Sequence, residues 1–131
     1  EIIGEGLNRA DGTFDPTSHG EVEAIRDACR KLSVTNLGGA DMYTSGEPCS
    51  MCVATMYQAG IKRLFYAGAA SDSTAFFGRL SEHDPKWARG MNNQELREQV
   101  GLPLDQRAMP AEQIMVEDMV EVFSAFIDRH T

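Results

Sequence analysis

Hydrophobic and polar positions follow two different periods along this chain. The first apolar run, Ile2-Ile3, is β-like and ends at Gly4-Glu5-Gly6, which predicts an edge or hairpin strand over residues 1–6. A polar loop with Asn8, Gly12 and Asp15-Pro16 follows. Val22, Ile25, Cys29 and Leu32 then recur at three- and four-residue steps, the spacing of one buried helical stripe. Thr17 or Ser18 offers the side-chain oxygen that caps its first turn, and Glu21 and Glu23 stand where the helix dipole favours negative charge. Gly38-Gly39 breaks the chain; residues 40–45 read as a strand; residues 49–59 read as a second helix stopped by Gly60. Residues 61–67 hold Leu64-Phe65-Tyr66, a buried strand. From 68 to 110 the periodicity is poor, with one short helix over 92–100. Residues 112–116 are predicted as a last strand, and Val116, Met119, Val120, Phe123, Phe126 and Ile127 form an amphipathic C-terminal stripe. Strands alternating with helices indicate an α/β domain with helices on both sheet faces. The 131 residues fit a single domain, 1–131.

Composition narrows the function. Apolar residues make up 42 % of the chain, enough for one core. Twelve basic against 20 acidic side chains give a net charge of −8, which argues against a nucleic-acid binder. The longest uncharged stretch, residues 48–61, is short of the roughly 20 residues a membrane span needs. Three cysteines are too few for a disulfide scaffold and cannot all pair, so a reducing compartment or metal-bound thiolates are expected. A cytoplasmic location follows from that reading.

Two short segments carry the chemistry: His19-Gly20-Glu21 and Pro48-Cys49-Ser50-Met51-Cys52. Both fall at predicted helix starts. The Cys-x-x-Cys pair puts two sulfurs on one turn, and a helix N-terminus stabilises thiolates. His19, Cys49 and Cys52 make three ligands and leave a fourth tetrahedral position open, the pattern of a catalytic zinc site rather than a closed structural one. Glu21 would point beside the ion, where a carboxylate can take a proton from activated water and return it to a leaving group. A structural zinc knuckle would want a fourth ligand, and only Cys29, His83 and His130 remain. Cys29 lies on the apolar helix stripe and reads as core; the two histidines sit in polar surroundings. A redox pair would leave His19 and Glu21 unexplained.

H-x-E followed by P-C-x-x-C is the signature of zinc nucleobase deaminases. On these residues the chain resembles the cytidine-deaminase superfamily, and residues 15–22 and 43–49 are similar to its guanine deaminase and tRNA-adenosine deaminase branch. The resemblance implies a three-layer α/β/α sandwich around a central mixed five-stranded sheet, with the family's opening helix and first strand upstream of Glu1. It implies one Zn2+ per chain on His19, Cys49 and Cys52, and hydrolytic deamination with Glu21 as proton shuttle. The backbone N–H groups of Gly20 and Cys49 become candidate donors to the base and the developing oxyanion. Asn8 matches the family asparagine that meets a base edge; the alternative is an ordinary Asx turn. Phe76 and Phe77 fall where family members wall the pocket, and an aromatic there could stack on a flat base; simple core is the competing assignment. Glu47 organises the turn before Pro48, and Asp72 reads as a turn residue.

The substrate is less sharply marked. Guanine deaminases usually carry an acidic pair after the aromatic, whereas Phe77 is followed by Gly78-Arg79-Leu80, with Glu82 and Asp84 as later substitutes. The His-Gly-Glu variant and Phe126-Ile127-Asp128 are also similar to fungal cytosine deaminases, while the long segment from Leu80 to Pro110 favours the purine branch. A free base, guanine first, is therefore expected, with cytosine, an aminotriazine or guanosine as alternatives. A tRNA editor needs a basic track near its C-terminal helix, where this chain has Glu112, Glu117, Asp118 and Glu121. A non-catalytic zinc module would not need Glu21. Relatives in this branch are homodimers, some with exchanged C-terminal segments. Met51, Val53, Met56 and Tyr57 on the second helix are compatible with a partner or with burial inside one chain.

Overall fold

The computed structural model describes residues 1–88 and 91–131, in two compact units, Glu1–Val100 and Gly101–Thr131. The first unit is organised by a strand–helix–strand crossover. β1 (Asp41–Gly46) and β2 (Arg63–Gly68) pair in parallel, with Met42 opposite Leu64 and Tyr43 opposite Phe65. Parallel neighbours need a crossover, and α3 (Ser50–Ala59) provides it. Gly60 ends α3 in the left-handed region (φ 76°), where a side chain would also strike the Asn36 carboxamide.

α2 (Gly20–Leu32) packs beside α3. Its buried stripe is Val22, Ile25 and Ala28, which meets Leu37, Met42, Cys52, Met56 and Ala59 in one core. Cys29 is half-buried against that core, as its place on the stripe suggested, whereas Leu32 lies beyond it and is exposed. Met56 of α3 faces the core, Met51 and Val53 are half-buried, and Tyr57 is exposed.

Four expected features differ. β2 is not the buried strand expected of Leu64-Phe65-Tyr66: in a two-stranded sheet Leu64 is half-buried while Phe65 and Tyr66 are exposed. The helix cap is neither Thr17 nor Ser18. His19 occupies the cap position of α2 with an extended backbone, while the buried Ser18 hydroxyl donates to the Glu23 carboxylate at 2.7 Å. Residues 1–6 form no strand. They lie against α2 so closely that a Cβ on Gly4 would stand 2.6 Å from the Ala24 carbonyl oxygen. One on Gly6 would run into the Ala24 nitrogen and the Gly20 carbonyl oxygen. Glu5 N–H is spent on the Asp27 carboxylate of the helix rather than on a neighbouring strand. Residues 112–116 are also not a strand, because Met115 turns left-handed (φ 54°) to launch α6 (Val116–His130). The sheet therefore has two strands among the described residues, not the five expected, within an α/β arrangement.

The segment of poor periodicity is helical over much of its length. α1 (Ala10–Thr13) is a single turn in the first loop; α4 (Ala70–His83) follows β2; and α5 (Asn93–Gly101) matches the expected short helix. Ser73, Phe77 and Leu80 line the less exposed face of α4 at i, i+4 and i+7. In the second unit α6 carries its apolar stripe exposed, and the His130 ring stacks on Phe126 at 4.1 Å. Among the described residues no helix is long and apolar enough to cross a membrane.

Candidate active site

α2 and α3 begin at one place. His19 and Cys49 are the cap residues of the two helices, and both hold extended backbones, φ −70° and −71°, that turn their side chains off the helix axes. One turn into α3, Cys52 is fully buried and returns to the same point. The His19 Nδ1 atom lies 3.6 Å from Cys49 Sγ and 3.5 Å from Cys52 Sγ, and the two sulfurs are 3.7 Å apart.

This triangle fits a tetrahedral zinc ion. Bond lengths of about 2.3 Å to sulfur and about 2.0–2.1 Å to nitrogen imply tetrahedron edges of about 3.8 Å between sulfurs and about 3.6 Å from sulfur to nitrogen. The three observed separations agree, and among the described residues these three alone form such a cluster. Among the described residues none supplies a fourth ligand, as expected for a catalytic rather than a structural site.

The electrostatics suit the same task. The hydrogen bond shared with Cys52, the backbone N–H groups of Cys52 and Met51, and the His19 imidazole hold the Cys49 thiol well below the usual range, at about 5. The shared Cys49–Cys52 bond, burial and the neighbouring Glu21 carboxylate push Cys52 up. The proton is thus held more loosely on Cys49 than on Cys52, and a cation that takes both as thiolates displaces it. That Glu21 acts on Cys52 also places its carboxylate beside the ligand cluster and not at a vertex of it.

These groups open on a cavity of about 1040 Å³. Glu21, His19, Gly20 and Cys49 form one end, and Asn8 joins them from the N-terminal segment. Arg9 N–H donates to the Ser18 carbonyl at 2.9 Å, tying the Asn8 segment to the chain entering α2. Asn8 makes the Asx turn, accepting Ala10 N–H at 3.0 Å through Oδ1. That bond occupies the oxygen and leaves the amide N–H groups for a ligand, so the turn and the base contact are compatible.

Phe77 lines the cavity, whereas Phe76 is 59 % exposed and lies outside it. The two aromatic candidates therefore separate, because consecutive residues on a helix face different ways. Glu82 and Asp84 do not line the cavity either; Asp84 accepts Lys86 N–H and pairs with the Lys86 ammonium at 2.8 Å. Asp72 is a turn residue, accepting Ala69 N–H at the start of α4.

Among the wall residues that escaped sequence reasoning are Ser73 on α4 and Asn93 at the start of α5. Glu47 holds both helices to the metal turn. One carboxylate oxygen accepts Ala70 N–H at 3.3 Å and the other pairs with Arg97 at 3.2 Å. The helical spacing of Ser73 and Phe77 was the available signal, diluted by the small and polar residues around it.

Comparison with known proteins agrees with this geometry. Residues 1–68 match the model of the cytidine and deoxycytidylate deaminase zinc-binding region. The chain is 33 % identical over 125 residues to a guanine deaminase of Bacillus subtilis, covering 95 % of this chain and 72 % of that protein. It is 36 % identical over 104 residues to a tRNA-specific adenosine deaminase of Agrobacterium fabrum, covering 74 % and 68 %. The crystal structure of guanine deaminase from Bacillus subtilis superposes with a TM-score of 0.79 at 31 % identity, covering 98 % of this chain and 73 % of that one. With the three-ligand triangle and its adjoining glutamate in place, the chain belongs to the cytidine and deoxycytidylate deaminase zinc-binding family and is a zinc-dependent hydrolytic deaminase.

Proposed function

We propose that the protein removes the exocyclic amine of a free purine-type base, guanine first among them, releasing ammonia. The observation that carries this reading is the position of Glu21: it adjoins the ligand triangle at the end of a cavity that also holds Asn8 and Phe77. The likeness to the Bacillus subtilis guanine deaminase supports the choice of base.

His19, Cys49 and Cys52 would hold the zinc, which when bound lowers the pKa of water to about 7 and so supplies a nucleophile near neutral pH. Glu21 takes the proton of the attacking water and passes it to the departing amine. The N–H groups of Gly20 and Cys49 belong to helix starts, where backbone donors have no partner within their own helix, so they can meet the charge that develops on the base. Asn8 orients the ring by its amide, and Phe77 lies against its face.

The charge of this chain supports a free-base enzyme over a tRNA editor. α6 opens with Glu117 and Asp118, and its basic residues come only in the last turn. A phosphate backbone would be repelled there. We also place the reaction in the cytoplasm, supported by three cysteines that form no disulfide with one another, two of which would ligate the metal. A homodimer is proposed on the exposed Tyr57 of α3, and a three-layer frame with a mixed five-stranded sheet on the likeness to the solved guanine deaminase.

The test is ammonia release from purified, zinc-loaded protein across guanine, adenine, cytosine, their nucleosides and aminotriazines. Highest kcat/KM on guanine is expected. Activity confined to cytosine, or seen only with tRNA, would overturn the assignment.

A further inference from the structure

The part of the cavity wall supplied by α4 and α5 is held in place by its own hydrogen bonds, as the metal end is. Asn92, not Asn93, caps α5: its Oδ1 accepts Glu95 N–H at 2.9 Å, while the Glu95 carboxylate accepts Asn92 N–H at 3.2 Å. This reciprocal cap releases Asn93 from any capping duty. Leu96, three residues on and on the same face, packs against the core and sets the roll of the helix. Arg97, one turn from Asn93, is pinned to Glu47. The Asn93 side chain is thereby held half-buried against the cavity, with no hydrogen-bond partner among the described residues. Ser73 of α4 also lines the cavity, its Oγ 3.6 Å from where a Cβ on Gly46 would lie.

We propose that Asn93, together with Ser73, is a specificity-determining residue that reads the edge of the base carrying its 6-substituent. This deepens the free-base reading above and rests on it. The chemistry of the wall says which edge it fits. A carboxamide presents one acceptor and a pair of donors, and a hydroxyl adds one of each. Such a set complements a lactam edge, a ring N–H next to a carbonyl. An acidic pair, by contrast, presents acceptors alone and suits an edge of donors. Glu82 and Asp84, the acidic candidates after Phe77, do not line the cavity; of the carboxylates that do, Glu47 is engaged by Ala70 N–H and Arg97, Asp41 is paired with Arg63, and Glu1 and Glu5 are exposed. The wall is therefore matched to a neutral 6-oxo ring over its 6-amino counterpart.

The experiment compares guanine, 2,6-diaminopurine and 2-aminopurine, which share the 2-amino group and differ at position 6, in the zinc-loaded wild type and in the Asn93→Asp, Asn93→Ala and Ser73→Ala variants. Wild type is expected to prefer guanine. Asn93→Ala should lower kcat/KM for guanine by about 10- to 100-fold while changing 2-aminopurine less than about threefold, since a site left with an unmet polar edge discriminates strongly. Asn93→Asp, nearly the same shape but acceptor-only at neutral pH, should shift the guanine to 2,6-diaminopurine ratio by at least about tenfold toward the diamine. Ser73→Ala should move the ratio the same way by less. Zinc content and far-UV circular dichroism at wild-type values certify folding, and the near-isosteric aspartate variant serves if alanine disturbs the helix. An unchanged ratio in both Asn93 variants would overturn the inference while leaving the deaminase reading intact. Failure of wild type on all three purines would overturn both.

Discussion

Substituting Gly6 by alanine tests whether the N-terminal segment positions substrate through its contact with α2. A Cβ at Gly6 would overlap the Ala24 nitrogen and the Gly20 carbonyl oxygen and stand 2.8 Å from the Glu23 carbonyl carbon. These are backbone atoms of a helix whose stripe is anchored in the core, so the segment and not the helix must yield. Contact becomes ordinary at 3.4 Å, so the segment has to withdraw by roughly 1 Å. Two outcomes are open to the molecule. If the segment stays, overpacking costs about 1–3 kcal/mol, which for a chain of this size lowers Tm by roughly 4–12 °C. If it lifts away, Asn8 leaves its place two residues on, and a misplacement of about 1 Å lowers kcat/KM by up to about 100-fold. Thermal unfolding followed by circular dichroism, together with steady-state kinetics on the best base, distinguishes them. Gly12→Ala is the control: nothing lies within 4 Å of the added carbon, and a change within about 0.5 kcal/mol is expected. A Gly6→Ala protein with wild-type Tm and wild-type kcat/KM would refute the close packing described for this segment.

Glu21→Gln should keep one zinc per chain, measured by atomic emission, and lose about 10²- to 10⁴-fold in turnover; a near-normal rate would remove Glu21 from the mechanism. Phe77→Ala should raise KM severalfold, while Phe76→Ala, at an exposed position, leaves the kinetics near wild type; equal effects would contradict the separation of the two rings. Acid stability follows from Asp15, Glu23, Asp27 and Asp41. Hydrogen bonds hold all four carboxyls below their ordinary values: to Asp15 from Thr17, to Glu23 from Ser18 and Arg26, to Asp27 from Lys31 and Glu5 N–H, and to Asp41 from Arg63. The stabilisation is therefore complete above the unfolded values of 3.8 for Asp and 4.5 for Glu and is lost as pH falls through the lower folded ones. Urea midpoints measured from pH 6 to pH 3 should drop less steeply in Asp41→Asn than in wild type.

The metal end of this site was legible because its ligands are fixed by local rules. A histidine and a cysteine that each open a helix, with a second cysteine one turn later, need only two helix starts to meet, and the apolar stripe of α2 identified the faces that bring them together. The wall residues on α4 and α5 were not legible. Asn93 and Ser73 become wall residues through Glu47, which reaches 23 residues ahead to Ala70 and 50 to Arg97. Nothing in the local pattern of α4 or α5 announces a partner at that separation. The strand expected over residues 1–6 failed for a related reason. Its two glycines carry no periodicity, yet they decide the outcome by letting the chain lie on a helix backbone where any other residue would be held off. The left-handed Met115 likewise breaks a run whose composition alone favours a strand.

The meeting of two helix starts also sets the overall charge of the centre. Each N-terminus contributes a partial charge of about +0.5, so the pair acts as roughly one positive charge fixed in the backbone. With a divalent ion this balances two thiolates and the Glu21 carboxylate, leaving the centre close to neutral. A neutral centre exerts no pull on a charged tail and no push on an uncharged ring. It lets a flat heterocycle enter, and leave one amine poorer, without carrying a counterion in either direction.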